Sequence, residues 1–246
     1  MTQLHSATYN IHKGFSLLNR RVVLPALREQ LRGLNADVIF LQEVQGAHDS
    51  HALRHANYPD GAQHEFLADD VWAHHAYGMN AVYQAGHHGN AILSRYPIVK
   101  IHNENISAHR FESRGLLHCE LEIGTTRVHS LCAHFGLFAR GRAAQTRALI
   151  DYVKREIPHD APLLIAGDFN DWRNQMSATL AHELDVQDVF HAQHGKPAKS
   201  FPARFPLFRL DRIYTRGFAV QKSRVHDDWL NLSDHAALSC HVSLSV

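Results

Sequence analysis

Cysteine is scarce in this chain: three residues among 246, at positions 119, 132 and 240. An odd number without Cys-x-x-Cys spacing excludes both a disulfide framework and a thiolate zinc cluster. Each thiol falls inside an apolar, strand-like run, as the buried thiols of a reducing compartment do. A run of about 18 apolar residues, the least a membrane-spanning helix needs, is also missing. The N-terminus enters a strand-like segment at Leu4 with no basic stretch and apolar core ahead of it, so the protein is expected to be soluble and cytoplasmic. Excess charge of either sign is lacking, since the formal net charge is +1. That excludes coating of nucleic acid or membrane by bulk electrostatics and requires a local patch for any polyanion. Lysine is rare as well, 6 residues of the 25 that are Lys or Arg. An arginine fork suits phosphate recognition, although the base composition of a gene produces the same bias. Histidine, by contrast, is abundant at 22 residues, scattered rather than gathered in metal-storing tracts. With 45% hydrophobic and 20% charged residues, disorder, collagen and coiled coil are excluded.

Short apolar runs at residues 4–11, 37–43, 80–83, 90–93, 116–123, 128–135, 162–166, 210–214 and 236–244 predict strands, several alternating with period two. Helical spacing predicts helices over 24–34, with Pro25 in the first turn, over 139–156 and over 176–182. This mixed order does not fit a regularly alternating doubly wound sheet. It predicts an α/β protein, a four-layer αββα sandwich of two mixed, mainly antiparallel sheets flanked by helices. No internal repeat or low-complexity linker divides the chain, so 1–246 is read as a single domain.

Polar residues punctuate the predicted strand ends: Asn10, Gln42-Glu43, His134, Asp168-Phe169-Asn170 and Asp234-His235. Strand ends converge on one rim of a sheet, where ligand sites collect. Glu43, Asp168, Asp211 and Asp234 with Asn10 and Asn170 are hard oxygen donors and amides, a set suited to Mg²⁺ or Mn²⁺. A carboxylate after a strand also serves as a loop cap, and any one of these acids is explained that way about as well; the set together is not. His134 and His235 would supply the proton acceptor and donor that hydrolysis of a phosphodiester requires. An acid in Leu210-Asp211-Arg212 would fix the His235 tautomer.

The segments Thr8-Tyr9-Asn10-Ile11-His12, Leu41-Gln42-Glu43-Val44, Gly89-Asn90-Ala91-Ile92-Leu93-Ser94, Ala133-His134-Phe135, Gly167-Asp168-Phe169-Asn170, Arg209-Leu210-Asp211-Arg212-Ile213 and Leu232-Ser233-Asp234-His235 resemble, in order and spacing, the signature of the endonuclease/exonuclease/phosphatase superfamily. The likeness runs over residues 8–235 and is strongest to a bacterial branch opening Asn10-Ile11-His12-Lys13-Gly14-Phe15. The resemblance implies a single catalytic domain of that type with Glu43 as principal metal ligand, Asn10 beside it and Asp234 within reach. It implies Asp168 as the group that orients or deprotonates water and Asn170 as a phosphate holder. His235 would accept the water proton or contact phosphate, oriented by Asp211, and His134 matches the second histidine of the deoxyribonuclease and sphingomyelinase branches. Asn90 and Arg114 fall at substrate-binding positions. One departure stands out: deoxyribonucleases pair that second histidine with an upstream acid, and Gly86-His87-His88-Gly89-Asn90 contains none.

Basic residues gather at Lys13, Arg20 and Arg21, at Arg140, Arg142 and Arg147, and at Lys196, Lys199, Arg204, Arg209 and Arg212. They would track a nucleic-acid backbone or form solvated faces. The segment 200–209 interleaves Phe201, Phe205 and Phe208 with two arginines, as a base-stacking surface, a lipid-facing loop or packing over a sheet edge would. His48, His51 and His55 have the spacing of one helical face, an adventitious metal site at most. The expectation is a Mg²⁺- or Mn²⁺-dependent phosphodiesterase, a DNA endonuclease of low sequence specificity, monomeric and without an obligate protein partner. Hydrolysis of a phospholipid head group is the alternative, and a catalytically silent binding protein is disfavoured because every polar point is retained.

Overall fold

The structure is a computed structural model that describes residues 2–16, 21–48, 54–55 and 58–245. Two six-stranded sheets pack face to face. The first has the order β11-β12-β1-β2-β4-β3 and the second β5-β6-β7-β8-β10-β9. Strands β1 (Gln3–Asn10), β2 (Val38–His48), β3 (His74–Tyr83), β4 (Gly86–Ser94), β11 (Phe218–His226) and β12 (Ala237–Leu244) form the first. Strands β5 (Ile98–Asn105), β6 (Gly115–Ile123), β7 (Thr126–His134), β8 (Leu163–Asp168), β9 (Gln187–Asp188) and β10 (Asp211–Arg216) form the second. Among the described residues only β1/β2 and β7/β8 pair in parallel.

Each parallel pair needs a crossover connection. Helix α1 (Leu24–Leu34) supplies the first and α3 (Ala139–Glu156) the second. Helix α1 buries Leu24, Leu27 and Leu31 on one stripe and stops where Asn35 turns left-handed at φ 57°. The short α2 (Gln63–Ala68) packs beside it, α4 (Ser177–Leu184) packs beside α3 on the second sheet, and α5 (Val189–His194) packs against β11 of the first sheet and β10 of the second, its Val189 and Phe190 joining the core between them.

Three apolar layers result. Leu4, Phe40 and Ile92 of one sheet meet Leu117, Leu164 and Ile213 of the other in the central layer. Outer layers lie under α1 and α2 and under α3 and α4. The αββα sandwich is therefore the observed architecture. The two sheets also share one pattern: an antiparallel pair, a parallel pair bridged by a helix, then two more antiparallel strands. That repeat is topological and leaves no trace in the sequence. Strands β5 and β11 were not anticipated. Both are edge strands with mostly solvent-facing side chains, and a bulge between Val220 and Lys222 further blurs β11.

Candidate active site

Strand alternation decides which side chains enter the space between the sheets. Leu4 faces the central layer, so Asn10, in phase with it at the end of β1, faces the same space. The same reasoning takes His134 from Cys132 on β7, Asp168 from Ala166 on β8, and Asp211 from Ile213 on β10. Glu43 needs an extra device. Leu41 pairs with Ala91 and Val44 with Gly89, so β2 carries one residue too many there. Glu43 takes a left-handed φ of 57° in that bulge, which returns Val44 to the helix side and leaves the carboxylate for the cleft.

Glu43, Arg114, His134, Asp168, Asn170, Asp234 and His235 line one cleft of about 340 Å³, together with the apolar side chains of Leu137, Trp172, Phe201, Phe208 and Leu210. Asp211 lies behind His235, its Oδ2 2.8 Å from Nδ1. The other imidazole nitrogen is 3.8 Å from Oδ2 of Asp168. His134 Nε2 approaches that oxygen at 3.6 Å, so the acid facing His134 is Asp168 rather than any residue of 86–90. Asn10 Nδ2 donates to Asp168 at 3.2 Å and reaches Glu43 Oε1 at 3.4 Å, linking the two carboxylates. The Asn170 backbone N–H donates to Asp168 Oδ1 at 2.9 Å, and its side chain donates to the Phe135 carbonyl at 2.9 Å.

Asn90 does not line the cleft. Its amide donates to the carbonyls of Gly115 (3.0 Å) and Cys132 (3.2 Å), tying β4 to β6 and β7 across the sheets. Arg114 does line it, with Nε buried and without a hydrogen-bond partner. Asp234 accepts from His12 Nδ1 at 3.0 Å, and Lys13 Nζ stands 3.9 Å from Glu43. His12 was missed in the sequence. Its signal was local: a residue two past a strand-end Asn, in a turn where His12 and Lys13 both take positive φ.

Burial sets the charges. It penalises the His235 cation, but the carboxylates of Asp211, Asp168 and Asp234 outweigh it and raise the imidazole to about 10. Burial raises the Asp168 carboxyl to about 6, against the pull of the His235 charge. It also holds His134 well below its ordinary range, helped by Arg114, His235 and His88. For Asp234, burial is overcome by the His12 hydrogen bond and the nearby cations, and the carboxyl is lowered.

Other residues that stood out in the sequence lie elsewhere. His48 ends strand β2, so it cannot share a helical face with His55, and His51 and Arg20 lie outside the described residues. Arg142 is buried and donates to the carbonyls of Gly136 and Leu137, and Arg212 is buried against Asp188 at 3.3 Å. Both brace loops of the cleft instead of offering a free charge. Of the residues lining the cleft, Trp172 and Phe208 are 46% and 45% exposed, and Phe138, which follows the lining residue Leu137, is 75% exposed. No helix among the described residues is long and apolar enough to cross a membrane.

A two-sheet α/β sandwich with a histidine–carboxylate centre at the end of both parallel pairs defines a phosphoesterase class. The chain belongs to the Endonuclease/Exonuclease/phosphatase family, whose model matches residues 7–235. It is 46% identical over 241 residues to the Uncharacterized protein YbhP of Escherichia coli strain K12, covering 96% of this chain and 95% of that protein. Among solved structures it is similar to D. rerio TDP2 complexed with single strand DNA product, at TM-score 0.71 and 18% identity over 99% of this chain and 100% of that one. It is also similar to the mannosyl-6-phosphatase of Bacteroides thetaiotaomicron VPI-5482, at TM-score 0.73 and 15% identity over 98% and 100%. Family members are hydrolases of phosphoesters, generally dependent on a divalent metal.

Proposed function

We propose that this protein is a divalent-metal-dependent phosphodiesterase that cuts DNA endonucleolytically with little sequence preference, acting as a monomer. The observation that carries the reading is the placing of a cationic His235 and a neutral His134 on the two sides of one carboxylate, Asp168, within a single cleft. A cationic His235 can donate to a phosphate oxygen while the Asp168 carboxylate beside it, raised by burial, accepts a proton, and His134 stays a neutral partner of the same carboxylate.

The donors fit a hard cation. Among the described residues the cleft lining offers carboxylates, amides and imidazoles and no thiol, and behind it Asp211 Oδ1 is buried without a hydrogen-bond partner. Glu43, with Asn10 and Asp234, would hold Mg²⁺ or Mn²⁺, whose charge would polarise a phosphoryl oxygen and stabilise the departing one.

The chain's own groups divide the remaining work. Asp168, its carboxyl raised toward neutral pH by burial, is the acceptor for the proton of an attacking water. The His235 imidazolium donates to an oxygen of the phosphate, and Asp211 holds it in orientation and charge. Neutral His134 and the Asn170 amide flank the phosphorus, and Arg114 offers a cation to a second oxygen. Asn90 acts from behind, fixing β7, which carries His134, and the first residue of β6, which follows Arg114. The preference for DNA is supported by the neighbour solved with a single strand DNA product and by the exposed Trp172 and Phe208, which suit base stacking.

The same aromatic rim would also enter a lipid interface, so the test runs both substrates. Supercoiled plasmid, single-stranded oligonucleotide and phospholipid vesicles are offered in parallel with Mg²⁺, Mn²⁺ or chelator, with His235→Ala as the contamination control. Metal-dependent nicking that disappears in the variant is the expected result. Vesicle hydrolysis without nicking would overturn the assignment to DNA.

A further inference from the structure

The outer face of the second sheet carries a polar cluster where its neighbours are apolar. On β6 the side chains of Leu117, Cys119 and Leu121 face the central layer, which turns His118 and Glu120 to the side covered by α3. On β7 the residues sharing that side with His129 are Leu131 and Ala133, both in the apolar layer under α3. His118 and His129 are nonetheless buried there, and Glu120 is directly opposite His129 in the strand register.

We propose that His118, His129 and Glu120 form a second metal site, built for Zn²⁺ or a similar transition-metal ion and separate from the cleft. One donor atom from each of the three lies within 4.8 Å of the others. Nε2 of His118 and Nδ1 of His129 are 3.0 Å apart. Two nitrogens on one tetrahedral zinc, each at about 2.0–2.1 Å, stand about 3.3 Å apart, so the rings need move only slightly to admit an ion. Two imidazoles and a carboxylate are the donors of open zinc sites, unlike the oxygen-rich cleft.

The surroundings prepare the ligands. The Tyr152 hydroxyl on α3 lies 2.9 Å from His118 Nδ1. A ring proton placed on Nδ1 and donated to that hydroxyl leaves the Nε2 lone pair directed at His129, which is how an outer partner fixes a metal-binding tautomer. Burial lowers both imidazoles, His118 to about 4, so the neutral ligand form is present at pH 7. Lys100 pairs with Glu120 Oε1 at 3.2 Å, leaving the second carboxylate oxygen for an ion. His129 stands five residues before His134 on β7, about 17 Å along an extended strand, so the site is distinct from the catalytic one. An ion here would clamp the β6–β7 hairpin and, through Tyr152, attach it to α3.

The test titrates Co²⁺, and then Zn²⁺ against a colorimetric chelator, into protein freed of metal and kept in excess Mg²⁺. One equivalent with the visible absorption of low-coordinate cobalt is expected. His129→Ala and Glu120→Gln should weaken binding by about tenfold or more, whereas Glu43→Gln should leave the band unchanged. Should His129→Ala not fold, Tyr152→Phe decides: it keeps the ring and should still loosen the ion. Absence of stoichiometric cobalt absorption in the wild type would overturn the proposal. So would a band lost in Glu43→Gln and retained in Glu120→Gln and Tyr152→Phe, which would put the ion in the cleft.

Discussion

His134 and His235 approach the same carboxylate oxygen at 3.6 and 3.8 Å, yet only His235 has a second carboxylate in contact, Asp211 at 2.8 Å. The Asp211 carboxylate is the largest of the charges that raise His235, whereas the cations of Arg114 and His235 add to burial in keeping His134 neutral. Substitution of Asp211 by Asn should therefore lower the His235 pKa and cut kcat by about 100-fold or more while the fold persists. Stability gives an independent readout in chelator. A histidine whose pKa is raised on folding, from 6.5 to about 10, contributes stability that is fully present below pH 6.5 and lost as pH rises through about 10. Asp168 acts in a lower window, since its raised carboxyl makes stability fall between its ordinary value and about 6. His12, raised by its hydrogen bond to Asp234, adds to the upper window in both proteins. Urea unfolding followed from pH 6.5 to 10 should show the wild type losing more stability than Asp211→Asn. Equal slopes would mean that Asp211 does not set the charge of His235.

The elements that matter most are the two parallel pairs, because their carboxyl ends carry the reacting groups. His134 pairs with Asp168 in the β7–β8 register, and Gly167 precedes that pair with φ 148°. A Cβ there would stand 1.9 Å from the Ala133 carbonyl oxygen, an approach backbone cannot absorb without moving. Gly167→Ala should therefore spread β7 from β8, lower the melting temperature and reduce kcat with little change in KM. An unchanged kcat would show that the spacing of His134 and Asp168 is not critical. The same elements explain what could be read in advance. Central strands announced themselves because both faces are buried or alternate cleanly, and their ends fell on Asn10, His134 and Asp168. Edge strand β5 did not, for Ile98–Asn105 presents mostly solvated side chains. Helices α2 and α5, six residues each, are too short to show a period. The His12–Asp234 contact joins residues from opposite ends of the chain, so local pattern gave no access to it. Arg142 and Arg212 looked like free charges because sequence does not reveal which arginines are consumed by carbonyls and carboxylates indoors.

At the scale of the whole molecule, a formal net charge of +1 leaves no general attraction for a polyanion, so the DNA affinity that the proposed function requires would have to come from the cleft's own surroundings. With Arg142 and Arg212 committed to the interior, exposed arginines close in sequence to lining residues include Arg140, Arg173 and Arg204, adjoining the exposed aromatic residues Phe138, Trp172 and Phe205. This arrangement alternates cation and aromatic ring, matching the alternation of phosphate and base along a strand. Each arginine that meets a phosphate displaces a counterion, and log KM should rise with log salt by about 0.9 per contact on duplex DNA. Initial nicking rates across a range of sodium chloride should give a slope that falls by about one in Arg173→Ser and again in the double variant with Arg204→Ser. Because neither residue touches the reacting groups, kcat at saturating DNA should hold constant in both. A slope that is small in the wild type and unmoved by both substitutions would mean that DNA is not gripped by this rim. The aromatic side chains there would then have to serve an uncharged or lipid surface.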